Sequence, residues 1–199
     1  MRSRILARTI VLAAVAASAP ATANGWRTPA AGGTATGDPE IILTFDDGPN
    51  PATTPHVLDA LKAHHLHAIF FLVSEHLAPE DTAQRALVER MIREGHLVGN
   101  HTVTHQQLCA VKEDVATTEI DNAAATISAV SGMPIPFFRS PYGAYCHRLE
   151  GMLIDRKLTH FFWDIDSQEW KHGNAKRRPP IHRLSQVPVL QVRAISRTG

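Results

Sequence analysis

Five short apolar runs of β-type residues recur along the chain, and each interval between them is long enough for one helix. The runs begin near residues 41, 68, 96, 137 and 160. A strand that is followed by a helix and then by another strand in the same sheet returns parallel to the first, so this alternation predicts an α/β fold with a parallel sheet. A barrel and an open sheet both satisfy it. Ile41-Ile42-Leu43-Thr44-Phe45 is apolar and β-branched and stops at Gly48-Pro49, the pattern of a buried strand. Thr54 before Pro55 reads as an N-cap with proline at the first helical position, leading into Val57, Leu58 and Leu61. Residues 68–73 form the second strand; Ala83, Leu87 and Met91 then mark a helix stopped at Gly95. Residues 96–100 are the third strand, and Ile120, Ala124, Ile127 and Val130 mark a helix that ends near Gly132. Phe137-Phe138 gives the fourth strand, residues 149–153 a helix, and Phe161-Phe162-Trp163 the fifth strand.

Composition limits what such a fold can do. With 199 residues, 44% hydrophobic and 20% charged, the chain can bury one core of ordinary size. The net charge of +1 hides an uneven distribution: residues 24–170 carry 10 Lys+Arg against 19 Asp+Glu, whereas residues 171–199 carry 7 Lys+Arg and no acid. An acidic body gives no support for nucleic-acid binding, which needs a basic face. Residues 1–23 read as a secretory signal peptide: Arg2, Arg4 and Arg8 lead into an apolar run over 10–17 and an Ala21-Thr22-Ala23 cleavage site. That run is far short of the about 20 apolar residues that span a bilayer, so no stable membrane anchor is expected and the mature protein is expected to be secreted or periplasmic. Residues 24–39 lack any apolar period and read as a linker. Export makes a disulfide permissible, and Cys109 and Cys146 are the only two cysteines.

Parallel α/β folds place their chemistry at the C-terminal ends of strands. Strand one ends in Asp46 and Asp47, two adjacent carboxylates on a turn; strand three is followed by His101-Thr102-Val103-Thr104-His105. On a helical turn, that spacing puts both imidazoles on one face within reach of one ion. Strand four is followed by Arg139-Ser140-Pro141-Tyr142-Gly143 and strand five by Asp166-Ser167-Gln168-Glu169-Trp170. Two imidazoles and one carboxylate leave open positions on a divalent ion, as catalytic sites require.

In order and spacing these four segments resemble those of the polysaccharide deacetylases of carbohydrate esterase family 4, over about residues 40–170. The resemblance implies a distorted, incomplete (β/α) barrel. It further implies metal-dependent hydrolysis of acetyl groups, most often N-acetyl, on a polysaccharide or oligosaccharide such as chitin or peptidoglycan. On this resemblance Asp46 is the general base and Asp47, His101 and His105 are the metal ligands. Arg139 holds the base carboxylate, and Tyr142 offers its backbone N–H to the oxyanion and contacts substrate. Asp166 belongs to the catalytic set and Trp170 to the sugar-binding surface. The cofactor is a divalent metal, zinc first, with cobalt or manganese as alternatives; the partner is an acetylated glycan, and the protein is expected to be a monomer.

Two departures from the family pattern matter. Glu169 stands where the family has aspartate, and no Leu-x-His segment follows Trp170 to supply the general-acid histidine. His172 and His182 do not follow apolar strands. The expectation is therefore a C-terminally truncated barrel in which residues 171–199 form an aberrant or disordered basic tail. Slow amide turnover follows, and the alternative is a catalytically impaired protein that binds metal and carbohydrate without turnover. If strands three and four are neighbours, the loops after them converge on one site, and Cys109 and Cys146 are expected to bond.

Overall fold

The computed structural model describes residues 42–164, 166 and 194–195. The expected signal peptide and linker, Glu169, Trp170, His172 and His182 lie outside them. Within the described residues strands and helices alternate as the sequence pattern requires: β1 (Leu43–Gly48), α1 (Thr54–Ala63), β2 (Ala68–Leu72), α2 (Thr82–Arg93), β3 (Leu97–Asn100), α3 (Glu113–Ser131), β4 (Phe137–Phe138), α4 (His147–Asp155) and β5 (Thr159–Phe161). The sheet order is β1-β2-β3-β4-β5, each pair parallel. Every strand is thus laid beside its predecessor without reversal, the winding of a barrel rather than of a doubly wound open sheet. A sixth strand, β6 (Ala194–Ile195), pairs antiparallel with β5. It was not expected in a tail read as basic and unstructured, and two residues are too few for apolar periodicity to register. No helix among the described residues is long and apolar enough to cross a membrane.

β2 is buried at all five positions because side chains of both its faces enter cores. Ala68, Phe70 and Leu72 join Leu58, Leu61, Val88, Met91 and Ile127 in the layer between sheet and helices. Ile69 and Phe71 point the opposite way and pack with Phe161, Leu97 and Phe137. This is the period-2 alternation of a strand covered on both sides. A third cluster joins β4 to α3 and α4 through Phe138, Ile120, Leu149 and Leu153. On β3, Gly99 is required by the close approach of Phe71: a Cβ there would lie 2.6 Å from the ring.

Element edges differ from the sequence reading where local pattern and long-range pairing compete. β1 begins two residues late and runs through Gly48, carrying both aspartates. β5 ends at Phe161, two residues before the apolar run does. Thr54 is the first residue of α1 rather than its cap; Thr53 takes that place without a side-chain bond, because the Thr54 hydroxyl instead accepts from the Asn50 N–H at 2.9 Å. On α3, position 123 rather than 124 is buried.

Candidate active site

Adjacent residues on a strand point to opposite faces, so Asp46 and Asp47 need a local irregularity to act together. β1 provides one. Phe45 pairs with Phe70 and Gly48 with Leu72, so Asp46 and Asp47 together oppose the single residue Phe71. This is a bulge, and bulges re-aim side chains. Asp47 takes the left-handed conformation, φ 64°.

The segment after β3 is a loop, not the helical turn that the i, i+4 spacing of His101 and His105 suggested. Two left-handed residues, Thr102 (φ 73°) and His105 (φ 61°), curl it so that both rings face the end of β1. The Thr102 hydroxyl accepts from the His105 N–H at 3.0 Å, and the Asn100 side chain accepts from the Thr102 N–H at 2.8 Å while donating to the Ile120 carbonyl of α3 at 2.8 Å. These side-chain bonds offer the backbone an alternative to the helix. The buried His101 ring places Nδ1 2.7 Å from the Arg139 carbonyl. A carbonyl only accepts, so Nδ1 carries a proton, and in the neutral ring it is Nε2 that presents a lone pair.

Asp47 Oδ1 lies 3.4 Å from His101 Nε2 and 3.2 Å from His105 Nε2, and ligand atoms of all three lie within 4.8 Å of one another. In the neutral rings, lone pairs meet a carboxylate oxygen, an arrangement a cation relieves. Donor atoms on a tetrahedral zinc with bonds of about 2.0–2.1 Å sit about 3.4 Å apart, so the spacing and the donor set both fit such an ion. As the carboxyl titrates in acid, Asp47 is held below the usual carboxylate range, chiefly by a hydrogen bond from the protonated His101 ring and further by the charges that His101, His105 and His76 then carry, against partial burial. Burial pushes the His105 ring below the usual histidine value, outweighing the pull of Asp47. An ionised carboxylate and an unprotonated imidazole are the states a metal ligand needs.

Asp46 stands beside this cluster on a different partner. Arg139, 2% exposed, donates through Nη1 to Asp46 Oδ1 and to the Thr44 hydroxyl, each at 2.8 Å, and through Nη2 to the Phe162 carbonyl at 3.2 Å. Its guanidinium lies 4.3 Å from the centre of the Phe71 ring and 5.6 Å from that of Trp163, so aromatic rings as well as hydrogen bonds hold the fork. Tyr142, 71% exposed, crowns a tight turn at φ 60° and rests against His105, ring centres 4.7 Å apart. Ser140 closes the base of that turn by donating to the Ala144 carbonyl at 2.6 Å, and His160 Nε2 lies 2.9 Å from the same hydroxyl. Cys109 and Cys146 are bonded, Cα atoms 6.1 Å apart, tying the histidine loop to the segment after the Tyr142 turn. Asp166 is exposed.

Sequence reasoning overlooked Glu119, Ser140, His160 and Trp163. Glu119 carried a usable signal: it falls on the same helix face as Ala116, Ile120, Ala123 and Ile127, and it is 8% exposed. A carboxylate on a core-facing stripe needs partners, because unpaired burial is costly. Those partners are the Val103 and Thr104 N–H groups, at 2.9 and 2.8 Å, and the Thr104 hydroxyl at 2.7 Å.

Known proteins resemble this chain in sequence and in fold. Residues 33–158 match the family model for polysaccharide deacetylases. A peptidoglycan-N-acetylglucosamine deacetylase of Bacillus cereus is 34% identical over 136 residues, 68% of this chain and 48% of that protein. A chitooligosaccharide deacetylase of Sinorhizobium fredii is 34% identical over 159 residues, 79% of this chain and 69% of that protein. The chain therefore spans about half the length of the first relative and two thirds of the second. Among solved structures, a peptidoglycan deacetylase from Bacillus subtilis matches with a TM-score of 0.66 at 33% identity, covering 76% of this chain and 71% of that one. A family 4 carbohydrate esterase from Streptomyces lividans, in complex with acetate, matches with a TM-score of 0.66 at 28% identity, covering 76% of each chain.

Proposed function

The chain belongs to the polysaccharide deacetylase family, and from that premise we propose that it hydrolyses acetyl groups, N-acetyl first, from a glycan containing N-acetylglucosamine. The convergence of Asp47, His101 and His105 beside Asp46 carries this reading. Those three residues would hold a divalent ion, zinc first and cobalt or manganese as alternatives, which would supply Lewis-acid polarisation of the acetyl carbonyl and a lowered pKa for a water. Asp46 accepts the proton of the attacking water, and Arg139 keeps its carboxylate aimed. The Tyr142 backbone N–H donates to the oxyanion as it forms, a role worth about 3–4 kcal/mol in acyl-transfer enzymes. Collapse of the tetrahedral intermediate breaks the C–N bond as the proton held on Asp46 passes to the departing nitrogen, so the sugar leaves as its free amine, Asp46 is ionised again, and the acetic acid released ionises to acetate. Asp166 keeps its catalytic assignment and Trp170 its sugar-binding one on the strength of the sequence motif alone. The glycan class is supported by the printed activities of the relatives, on peptidoglycan and chitooligosaccharide. Action outside the cytoplasm is supported by the leader-like pattern of residues 1–23.

The test is acetate release from an N-acetylglucosamine oligomer and from an O-acetyl ester, with added zinc, with chelator, and with Asp46→Asn. Release that chelator abolishes and zinc restores is expected, with at least a ~10²-fold loss in Asp46→Asn while metal is retained. His105→Ala and Asp47→Ala are expected to lose zinc on dialysis. Stoichiometric zinc in both ligand variants, or release indifferent to chelator, refutes the assignment; bound zinc without release from either substrate supports the alternative of an impaired, metal-binding protein.

A further inference from the structure

We propose that Glu119 is a positioning residue for the metal ligands. Its carboxylate, brought from α3, sets the backbone of the loop that carries His101 and His105. The inference rests on the metal reading of the site and adds to it a residue outside the ligand set.

The loop is held from α3 at two consecutive positions. The Ile120 carbonyl anchors Asn100, which fixes Thr102, which in turn accepts from the His105 N–H. Glu119 grips the middle: Oε2 receives two successive backbone N–H groups, of Val103 and Thr104, and Oε1 receives the Thr104 hydroxyl. Successive N–H groups converging on one oxygen make an anion-binding concavity, and hydrogen bonds to a charged acceptor are roughly twice as strong as neutral ones.

Among the described residues, ion pairs of Lys and Arg join other acids, and the three partners of Glu119 all belong to the loop. This buried charge is compensated by the segment between the two histidines, so the loop conformation and the charge depend on each other. Thr102 and His105 hold left-handed conformations that cost non-glycine residues free energy and persist only where surrounding structure imposes them. Glu119 imposes this one from α3 on the N–H side of the loop, while the Ser74 and Glu75 N–H groups hold the Thr102 and Val103 carbonyls at 3.1 Å each. Without it the loop can relax toward ordinary backbone angles, and the His105 ring then leaves the position 3.2 Å from Asp47.

Glutamine at 119 is the informative change. It preserves size and leaves one acceptor oxygen for the Val103 and Thr104 N–H groups, but it removes the charge, and its amide nitrogen faces the Thr104 hydroxyl, which has to turn from donor to acceptor. Thr104→Val removes only the hydroxyl contact, at an exposed residue. The experiment measures zinc dissociation constants by competition with a chromophoric chelator, and the rise in melting temperature that zinc produces, for wild type, E119Q and T104V. The visible spectrum of the cobalt-loaded proteins is recorded alongside. Outer-sphere partners of ligands are worth about 10- to 100-fold in metal affinity; that weakening is expected for E119Q, together with a smaller zinc-induced rise in melting temperature and an altered cobalt spectrum. A weakening of about 2- to 10-fold is expected for T104V, one bond of three. A merely structural role lowers the melting temperatures of the metal-free and loaded proteins equally and leaves the dissociation constant and the spectrum alone. Zinc binding by E119Q within twofold of wild type overturns the inference; if E119Q does not fold, an unchanged constant in T104V overturns it instead. Wild-type protein that takes up no zinc overturns the metal reading itself.

Discussion

Lowering the pH from 7 to 5 is expected to destabilise the wild-type protein by about 2 kcal/mol more than a His160→Gln variant. His160 lies on β5 at 8% exposure, with its ring against Phe138 and Phe162. The Ser140 hydroxyl spends its proton on the Ala144 carbonyl, so at the 2.9 Å contact it accepts from His160 Nε2–H, and Nδ1 carries the lone pair. Burial is the main force against protonation, the positive charge of Arg139 adds to it, and Glu150 opposes it; together they push the ring down to about 4. In the unfolded chain the ring titrates near about 6.5. Between these values the unfolded state binds the extra proton. The contribution is therefore complete above pH 6.5, is lost as pH falls toward 4, and amounts to about 3 kcal/mol in all. His96 and His105 are also depressed by burial and add slope of the same sign, so the difference between wild type and variant is the informative quantity. Glutamine can still donate to Ser140 but does not titrate. Urea unfolding of both proteins at pH 7, 6 and 5, with chelator throughout so that no ion acts on His105, measures that difference. Parallel stability curves, differing by under about 0.5 kcal/mol between pH 7 and 5, would refute the reasoning.

The disulfide offers a second test: Cys109 and Cys146 are 37 residues apart in sequence, and in the chain-entropy model a loop of that size is worth about 4 kcal/mol. Urea unfolding of the Cys109→Ser/Cys146→Ser protein should show most of that loss, and a change below about 1 kcal/mol would sink the estimate. Gly143 offers a third, because it sits at φ +64° and a Cβ there would lie 2.9 Å from the Trp163 ring. Gly143→Ala should cost about 1–3 kcal/mol and shift the fluorescence of Trp163, the ring that also covers Arg139; an unchanged melting temperature and spectrum would count against the contact.

Much of this protein is legible before any coordinates. The β2 run over residues 68–72 is apolar throughout, and α2 repeats its apolar residues every turn, because burial against a layer leaves a local period. That period, with its punctuation by Gly and Pro, is enough to order the elements and to put Asp46, Asp47, His101, His105 and Arg139 at strand ends. Other features leave weaker traces. β6 is two residues long, and β5 is cut short by where its partner strand ends rather than by its own residues. Glu119 was readable only as an anomaly, a charge on an apolar stripe, and nothing nearby in sequence said what it would hold. His160 lies in a run of apolar and aromatic residues that gives no hint of the serine twenty positions away.

The sequence by itself determined the parallel β/α alternation and the chemical inventory at the strand ends, since both follow from residue types and spacings within a few turns of chain. Only the tertiary structure decided how that inventory converges. The bulge that brings Asp46 and Asp47 to one site is set by pairing with β2. The left-handed residues that curl the histidine loop are held by α3, and the fork of Arg139 is fixed by residues from β1, β2 and the end of β5. Each costs free energy locally and persists because contacts distant in sequence repay it, and no local pattern records those contacts.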